Sequence, residues 1–414
     1  MSFVLPVYIG ADAISKLIGY CKENHISQST LVADQNTYAA LGRRLEDTLK
    51  NQGVGVKTVV LRGDEVIADE QFIMQVLVHA DREDQTYLAV GSGTITDITR
   101  FVSHRTKSSF ISIPTAPSVD GFTSIGAPIV VGGVKKTFIT QPPLAIFVDS
   151  PTIGSAPKRL IASGFGDMAG KFTSLADWKL GHILWDEPYD EAIAQRARTA
   201  VENCVRIADQ IGKGSEDSIH TLMEGLLESG LCMLEFGSSR PASGAEHHCS
   251  HYWEMKLLWE RRPALLHGAK VGVASILIAE EYEKVRSVTR QELIQQLKDA
   301  KLPDREQELQ RIRMAYGVTA DDVIEAQSEF LNMSADKFEL LKQRIINQWS
   351  LVQEIAAAVP APQELAGLLE QAGAETSAQS LGLSDQEVKL ALDYGHYLRN
   401  RFTVRKLNHL IGLH

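Results

Sequence analysis

Apolar positions in the first part of the chain switch between two periods. Short β-branched or aliphatic runs at residues 29–33, 54–61, 86–90, 110–113 and 144–148 read as buried strands. Between them the spacing turns helical. Leu41, Leu45 and Leu49 recur within residues 38–50 and stop at Asn51-Gln52-Gly53; Phe72, Val76 and His79 share a side of residues 69–80; another helical stretch begins at Ile95. Strands alternating with helices predict a parallel sheet covered on both faces. Pro128 to Val131, Gly132-Gly133, and Val134 to Ile139 predict a β-hairpin. Residues 151–157, rich in Pro, Gly and Ser, predict a loop and the domain boundary. From Lys158 onward nearly every segment carries helical spacing, with capping signals such as Ser334-Ala335-Asp336 and Ser384-Asp385-Gln386-Glu387. The expected architecture is an α/β N-terminal domain with a parallel, Rossmann-like sheet at residues 1–155, followed by an all-α C-terminal domain at residues 156–414.

Composition narrows the class. The 414 residues are 44% hydrophobic and 23% charged, which excludes disorder for the bulk of the chain. A net charge of −10 argues against a broad basic face, so no nucleic-acid partner is expected. The apolar run from Val273 is broken by Ser275, far short of the ~20 residues a membrane helix needs, so no membrane span is expected. Met1 to Pro6 has neither a basic nor an apolar segment, and Cys21, Cys204, Cys232 and Cys249 are widely spaced. These features lead us to expect a reduced, cytoplasmic protein without a leader.

Four segments carry candidate chemistry. In Gly91-Ser92-Gly93-Thr94 a buried strand runs into a helix start, where free N–H groups attract a phosphate; the alternative is a tight turn. It is not the Rossmann fingerprint, because Thr96 stands where the third glycine belongs. Asp34 ends an early strand, where a carboxylate either accepts from a ribose diol or caps a helix. In the proline-stiffened loop from Pro114 to Gly121, Thr115 and Ser118 offer hydroxyls, and Asp120 beside Gly121 either faces a ligand or forms a turn. The last is a set of metal-type donors. Asp167 and Lys171 share a helix face as an ion pair or as part of a site. His247 and His251 are one turn apart with His248 turned away, and His267 lies in an apolar context. Two histidines, one carboxylate and an open position make a Lewis-acid site. Spacing alone does not say which three of these bind.

Taken together, Gly91 to Thr94, Pro114-Thr115-Ala116-Pro117-Ser118-Val119-Asp120-Gly121, Gly164-Phe165-Gly166-Asp167, Glu246-His247 with His251, and His267-Gly268 resemble the bacterial-type glycerol-1-phosphate dehydrogenase family. That family belongs with glycerol dehydrogenase, the iron-type alcohol dehydrogenases and dehydroquinate synthase. The resemblance implies a dehydroquinate synthase-like fold and a metal-dependent oxidoreductase. The implied reaction interconverts dihydroxyacetone phosphate and sn-glycerol 1-phosphate with NAD(H) or NADP(H). By position it implies Asp167, His247 and His267 as ligands of one divalent metal, Zn2+ or Ni2+. Asp120, Asp167 and His251 become substrate contacts, with His251 and Asp120 catalytic. Asp34, Gly91, Ser92, Gly93, Thr94, Thr115, Ala116, Pro117, Ser118 and Ser124 become the dinucleotide site. Ser92 stands where relatives often have glycine. A homodimer acting on a phosphorylated triose or glycerol is expected. The alternatives are a polyol dehydrogenase of the same superfamily, a dehydroquinate synthase-like cyclase, or a scaffold with a dead site.

Overall fold

The computed structural model describes residues 5–63, 65–80 and 85–413. Eight strands are present among the described residues: β1 (Val7–Gly10), β2 (Gln28–Asp34), β3 (Gly55–Leu61), β4 (Thr86–Gly91), β5 (Ser109–Pro114), β6 (Gly126–Val131), β7 (Val134–Ile139) and β8 (Ile146–Asp149). The helices that matter for the argument are α1 (Ala13–Glu23), α2 (Arg43–Asn51), α3 (Glu70–Leu77), α4 (Gly93–Arg105), α5 (Lys158–Ala169), α6 (Lys171–Trp185), α7 (Glu216–Phe236), α8 (Ala245–Trp259) and α9 (His267–Ser287).

Six strands form one parallel sheet in the order β1-β8-β5-β4-β2-β3. Its inner strands β2, β4, β5 and β8 are buried on both faces, which is why they read as continuous apolar runs. Alternate residues divide between two cores. Leu31, Ala33, Leu88, Val90, Ile111 and Ile113 pack with Leu17 of α1 and Leu45 and Leu49 of α2. Val32, Tyr87, Ala89 and Phe110 pack with Phe72 and Val76 of α3 and Ile98 and Val102 of α4. β6 and β7 form the expected antiparallel hairpin. Gly132 and Gly133 both have positive φ, +59° and +77°, a turn that residues with a Cβ resist.

The structure adds detail that the pattern did not carry. β1 and α1 precede the first expected strand. The helix expected over residues 38–50 opens with a π-helical turn, Tyr38–Gly42, before α2. A Cβ on Gly42 would stand 2.7 Å from the Tyr38 ring, so the glycine makes room for it. The expected loop at residues 151–157 contains a short helix, Ser150–Gly154, capped by the Asp149 carboxylate. Pro151 fits its first turn because that position needs no N–H.

The chain forms two compact units, Met1–Gly164 with Asp209–Glu235, and Phe165–Ala208 with Phe236–His414. A single division between residues 155 and 156 differs from this grouping chiefly in α7, which mostly packs with the sheet unit. Glycines explain the attachment. A Cβ on Gly230 of α7 would lie 2.0 Å from Thr123 Oγ1 and 2.4 Å from the Asp120 carbonyl oxygen. One on Gly164 of α5 would lie 1.8 Å from the Pro117 carbonyl oxygen. Among its described residues the second unit contains no strand. No described helix is long and apolar enough to cross a membrane.

Candidate dinucleotide and metal sites

In the sheet unit, β2 leads outward to β3, whereas β4 leads to β5 on the opposite side. The order therefore reverses between the neighbours β2 and β4, the usual place for a ligand at strand C-termini. Asp34 ends β2, Gly91 ends β4, and Thr115, Ala116, Pro117 and Ser118 follow β5, whose Pro114 pairs with Gly91. A Cβ on Gly91 would lie 2.5 Å from Ile95, and one on Gly93 2.9 Å from Val119. Ser92 is the N-cap of α4 but makes no side-chain cap, so it contributes no acceptor to the N–H groups of the first turn. Asp34 does cap its helix: Oδ1 accepts the Thr37 N–H at 2.8 Å. Ser124 accepts the Gly126 N–H at 2.9 Å, a local turn bond.

Asp120 is buried, and its Oδ2 accepts the Ser229 hydroxyl of α7 at 2.8 Å. Sequence reasoning missed Arg100, which holds the segment after Asp120. Fully buried on α4, it donates to the Gly121, Phe122 and Gly126 carbonyls at 2.7, 3.1 and 3.1 Å and pairs with Asp97 at 2.7 Å. The available signal was a cation inside the apolar run Ile95, Ile98, Phe101, Val102.

In the helical unit, three glycines bring distant segments together. A Cβ on Gly166 of α5 would lie 2.3 Å from the Gly268 carbonyl oxygen and 3.5 Å from the Gly272 Cα on α9. The backbones approach closely there, so the flanking residues Asp167 and His267 meet. His247, in the first turns of α8, completes the group. The donor atoms of Asp167, His247 and His267 all lie within 4.8 Å of one another. Two imidazoles and a carboxylate, with Asp167 and His247 buried and His267 partly exposed, match the donor chemistry of a divalent transition metal.

Electrostatics favour the ligating form of two of these three groups. Burial opposes ionisation of Asp167, but Lys171 at 2.9 Å and the facing histidines hold its carboxyl well below the usual range. Burial, with the neighbouring His247 and His251, pushes His267 well below an ordinary histidine, which favours the neutral, ligating form. His247 is drawn the other way. Burial lowers its pKa, but contacts with Asp167 and Glu246 raise it on balance. Its Nδ1 lies 2.7 Å from Glu246 Oε1, leaving Nε2 on the Asp167 side at 3.6 Å. Glu246, named in the sequence only as a neighbour, is therefore the carboxylate that orients this ring. His251 stands beside the group, its ring 6.1 Å from His247 and 5.5 Å from His267. Lys171 is buried against Asp167 and the Ala242 carbonyl, and Lys270 is buried with an ion pair to Glu254.

Comparison with known proteins shows the family. A glycerol-1-phosphate dehydrogenase [NAD(P)+] of Geobacillus thermodenitrificans is 39% identical over 402 residues, covering 96% of this chain and 90% of its own. The chain belongs to the glycerol-1-phosphate dehydrogenase family. The enzyme of that name from Halalkalibacterium halodurans is 47% identical over 278 residues, 66% of this chain and 70% of its own. Residues 8–157 match the iron-containing alcohol dehydrogenase family. A solved probable glycerol dehydrogenase from Sinorhizobium meliloti shares the fold with a TM-score of 0.60 at 16% identity, covering 99% of this chain and 96% of that one. As a member of this family the chain is an NAD(P)-dependent oxidoreductase with a candidate metal site.

Proposed function

We propose that this member of the family interconverts dihydroxyacetone phosphate and sn-glycerol 1-phosphate, using Zn2+ or Ni2+ held by Asp167, His247 and His267. The observation that carries the proposal is the three-donor group, largely buried, with His251 at its edge. When bound, the nicotinamide supplies the hydride and the divalent cation supplies positive charge beside the oxygen that takes up electron density. The chain's own residues do the rest. The uncapped first turn of α4 and the glycines at 91 and 93 receive the pyrophosphate, with Thr94 and the Thr115 to Ser118 loop lining the same strand ends. The Asp34 carboxylate takes a ribose diol and repels a 2′-phosphate, so NADH is preferred over NADPH. Asp120 contacts the substrate, and His251 delivers a proton from Nε2 to the C2 oxygen during reduction. Apart from the Asp120 contact, the α/β part serves the dinucleotide and the helical part serves metal and substrate. A cytoplasmic homodimer is the accompanying proposal, checked by sedimentation.

The test is NADH oxidation with dihydroxyacetone phosphate before and after chelation, with product chirality determined and the metal identified by elemental analysis. Loss of turnover on chelation and its return with Zn2+ or Ni2+ are expected. Rates indifferent to chelation defeat the metal assignment. Faster oxidation of glycerol than of glycerol 1-phosphate defeats the substrate assignment.

A further inference from the structure

His251 has a partner arrangement of its own. It sits on α8 three residues before Glu254, so the two share a helix face. His251 Nδ1 lies 3.2 Å from Glu254 Oε2. The other carboxylate oxygen, Oε1, faces Lys270 Nζ at 3.4 Å. Lys270 stands on α9 three residues after His267 and is fully buried, so its ammonium needs an anion nearby. Glu254 thus serves two groups, one through each oxygen. The same design appears one turn earlier, where Glu246 engages Nδ1 of His247. The two histidines differ in the result: His247 belongs to the three-donor group, and His251 does not.

We infer that Glu254, held by Lys270, is the positioning residue for His251, fixing its Nδ1–H tautomer so that Nε2 is the nitrogen that exchanges a proton with substrate. An ionised carboxylate accepts only, so the nitrogen facing it carries hydrogen and the opposite nitrogen is left for exchange. When Nε2 also becomes protonated, the same carboxylate stabilises the imidazolium, as the buried aspartate does in a serine protease triad. No covalent or redox step is added; one proton passes between Nε2 and the substrate oxygen.

The kinetic arm of the test rests on the proposed reaction; the spectroscopic arm does not. Zn2+-loaded enzyme carrying 15N-histidine is examined by long-range 1H–15N correlation, with His251→Ala identifying the resonances. In Glu254→Leu the Nδ1–H form of His251 gives way to Nε2–H, and Glu254→Asp restores it. If Glu254→Leu does not fold because Lys270 is stranded, Glu254→Leu/Lys270→Leu removes both charges together and is read the same way. Turnover in Glu254→Leu falls on the order of 10–100-fold with zinc content and NADH affinity unchanged, and Glu254→Asp recovers part of it. An unchanged His251 tautomer in the variant overturns the inference. So does loss of zinc in His251→Ala, which makes His251 a ligand. A wild type inactive on dihydroxyacetone phosphate whose tautomer still answers to Glu254 refutes the reaction and supports the positioning.

Discussion

Removing the charge of Glu246 while keeping its shape tests how the metal group is organised. This carboxylate is fully buried and accepts three hydrogen bonds at 2.7 Å. Oε1 takes the Gly244 N–H and faces His247 Nδ1, and Oε2 takes the Thr173 hydroxyl. Burial alone would raise its pKa, but His247 and these donors hold it below the ordinary value. In Glu246→Gln the amide oxygen still meets Gly244 and His247, while the amide nitrogen turns the Thr173 contact round. Each bond to a charged acceptor is worth ~1.5–3 kcal/mol against ~1 kcal/mol for a neutral one, so the bond to His247 weakens by about 0.5–2 kcal/mol. Outer carboxylates of this kind change metal affinity about 10–100-fold. The expected result is a Zn2+ dissociation constant raised by that factor, measured by competition with a chromophoric chelator on folded protein. Thr173→Val, which removes only the Oε2 donor, has the smaller effect. A Glu246→Gln protein that binds Zn2+ within about twofold of wild type would falsify the orienting role.

Further predictions concern other parts of the same chain. Gly93→Ala places a Cβ 2.9 Å from Val119 and in the path of an approaching phosphate; the KM for NADH rises roughly tenfold with kcat little changed, read by steady-state kinetics. Gly166→Ala drives a Cβ to 2.3 Å from the Gly268 carbonyl, costing about 1–3 kcal/mol of stability and separating Asp167 from His267. Urea melts and zinc titration detect the two effects, and wild-type values in both reject the close-crossing account. Asp177 is fully buried, and burial with Glu246 nearby pushes its carboxyl up to about 7. A raised carboxyl means the folded state holds a proton that the unfolded chain releases near pH ~3.9, so this contribution is full below that value and is lost as pH rises through about 7. Asp177→Asn flattens stability across that window in urea melts. It also lowers stability overall, because its amide nitrogen must face either the Ala245 N–H group or both the Val404 N–H group and the Tyr282 hydroxyl.

The strands were legible because parallel strands buried on both faces leave uninterrupted apolar runs, as in residues 31–33 and 87–90. β1 was not, because four residues pairing with β8 at a sheet edge carry too little pattern. In the site, His247 and His251 announced themselves by sharing a helix face. That Asp167 meets His267 is a different kind of fact. They lie a hundred residues apart, and their approach depends on Gly166, Gly268 and Gly272 at a helix crossing. Local spacing carries nothing about that crossing, so resemblance supplied the candidate ligand set while periodicity did not. The grouping of α7 with the sheet unit was equally hidden, since it turns on missing side chains at Gly164 and Gly230.

The overall charge of −10 also says less about the site than the local count does. Around the three-donor group stand the carboxylates of Asp167, Glu246 and Glu254 and the ammonium groups of Lys171 and Lys270. With the ligand imidazoles neutral, as metal binding requires, these five leave a single net negative charge. That sign suits capture of a divalent cation, and capture reverses it to a single positive charge. Under the proposed function the loaded site then attracts an anion such as a triose phosphate, which the unloaded site repels. Because each lysine is buried against one of these carboxylates, neither has to lend its charge to the substrate for the reversal to occur. On this account substrate affinity itself depends on the metal. Binding of dihydroxyacetone phosphate should therefore weaken on chelation in the absence of NADH, a comparison that calorimetry makes without turnover.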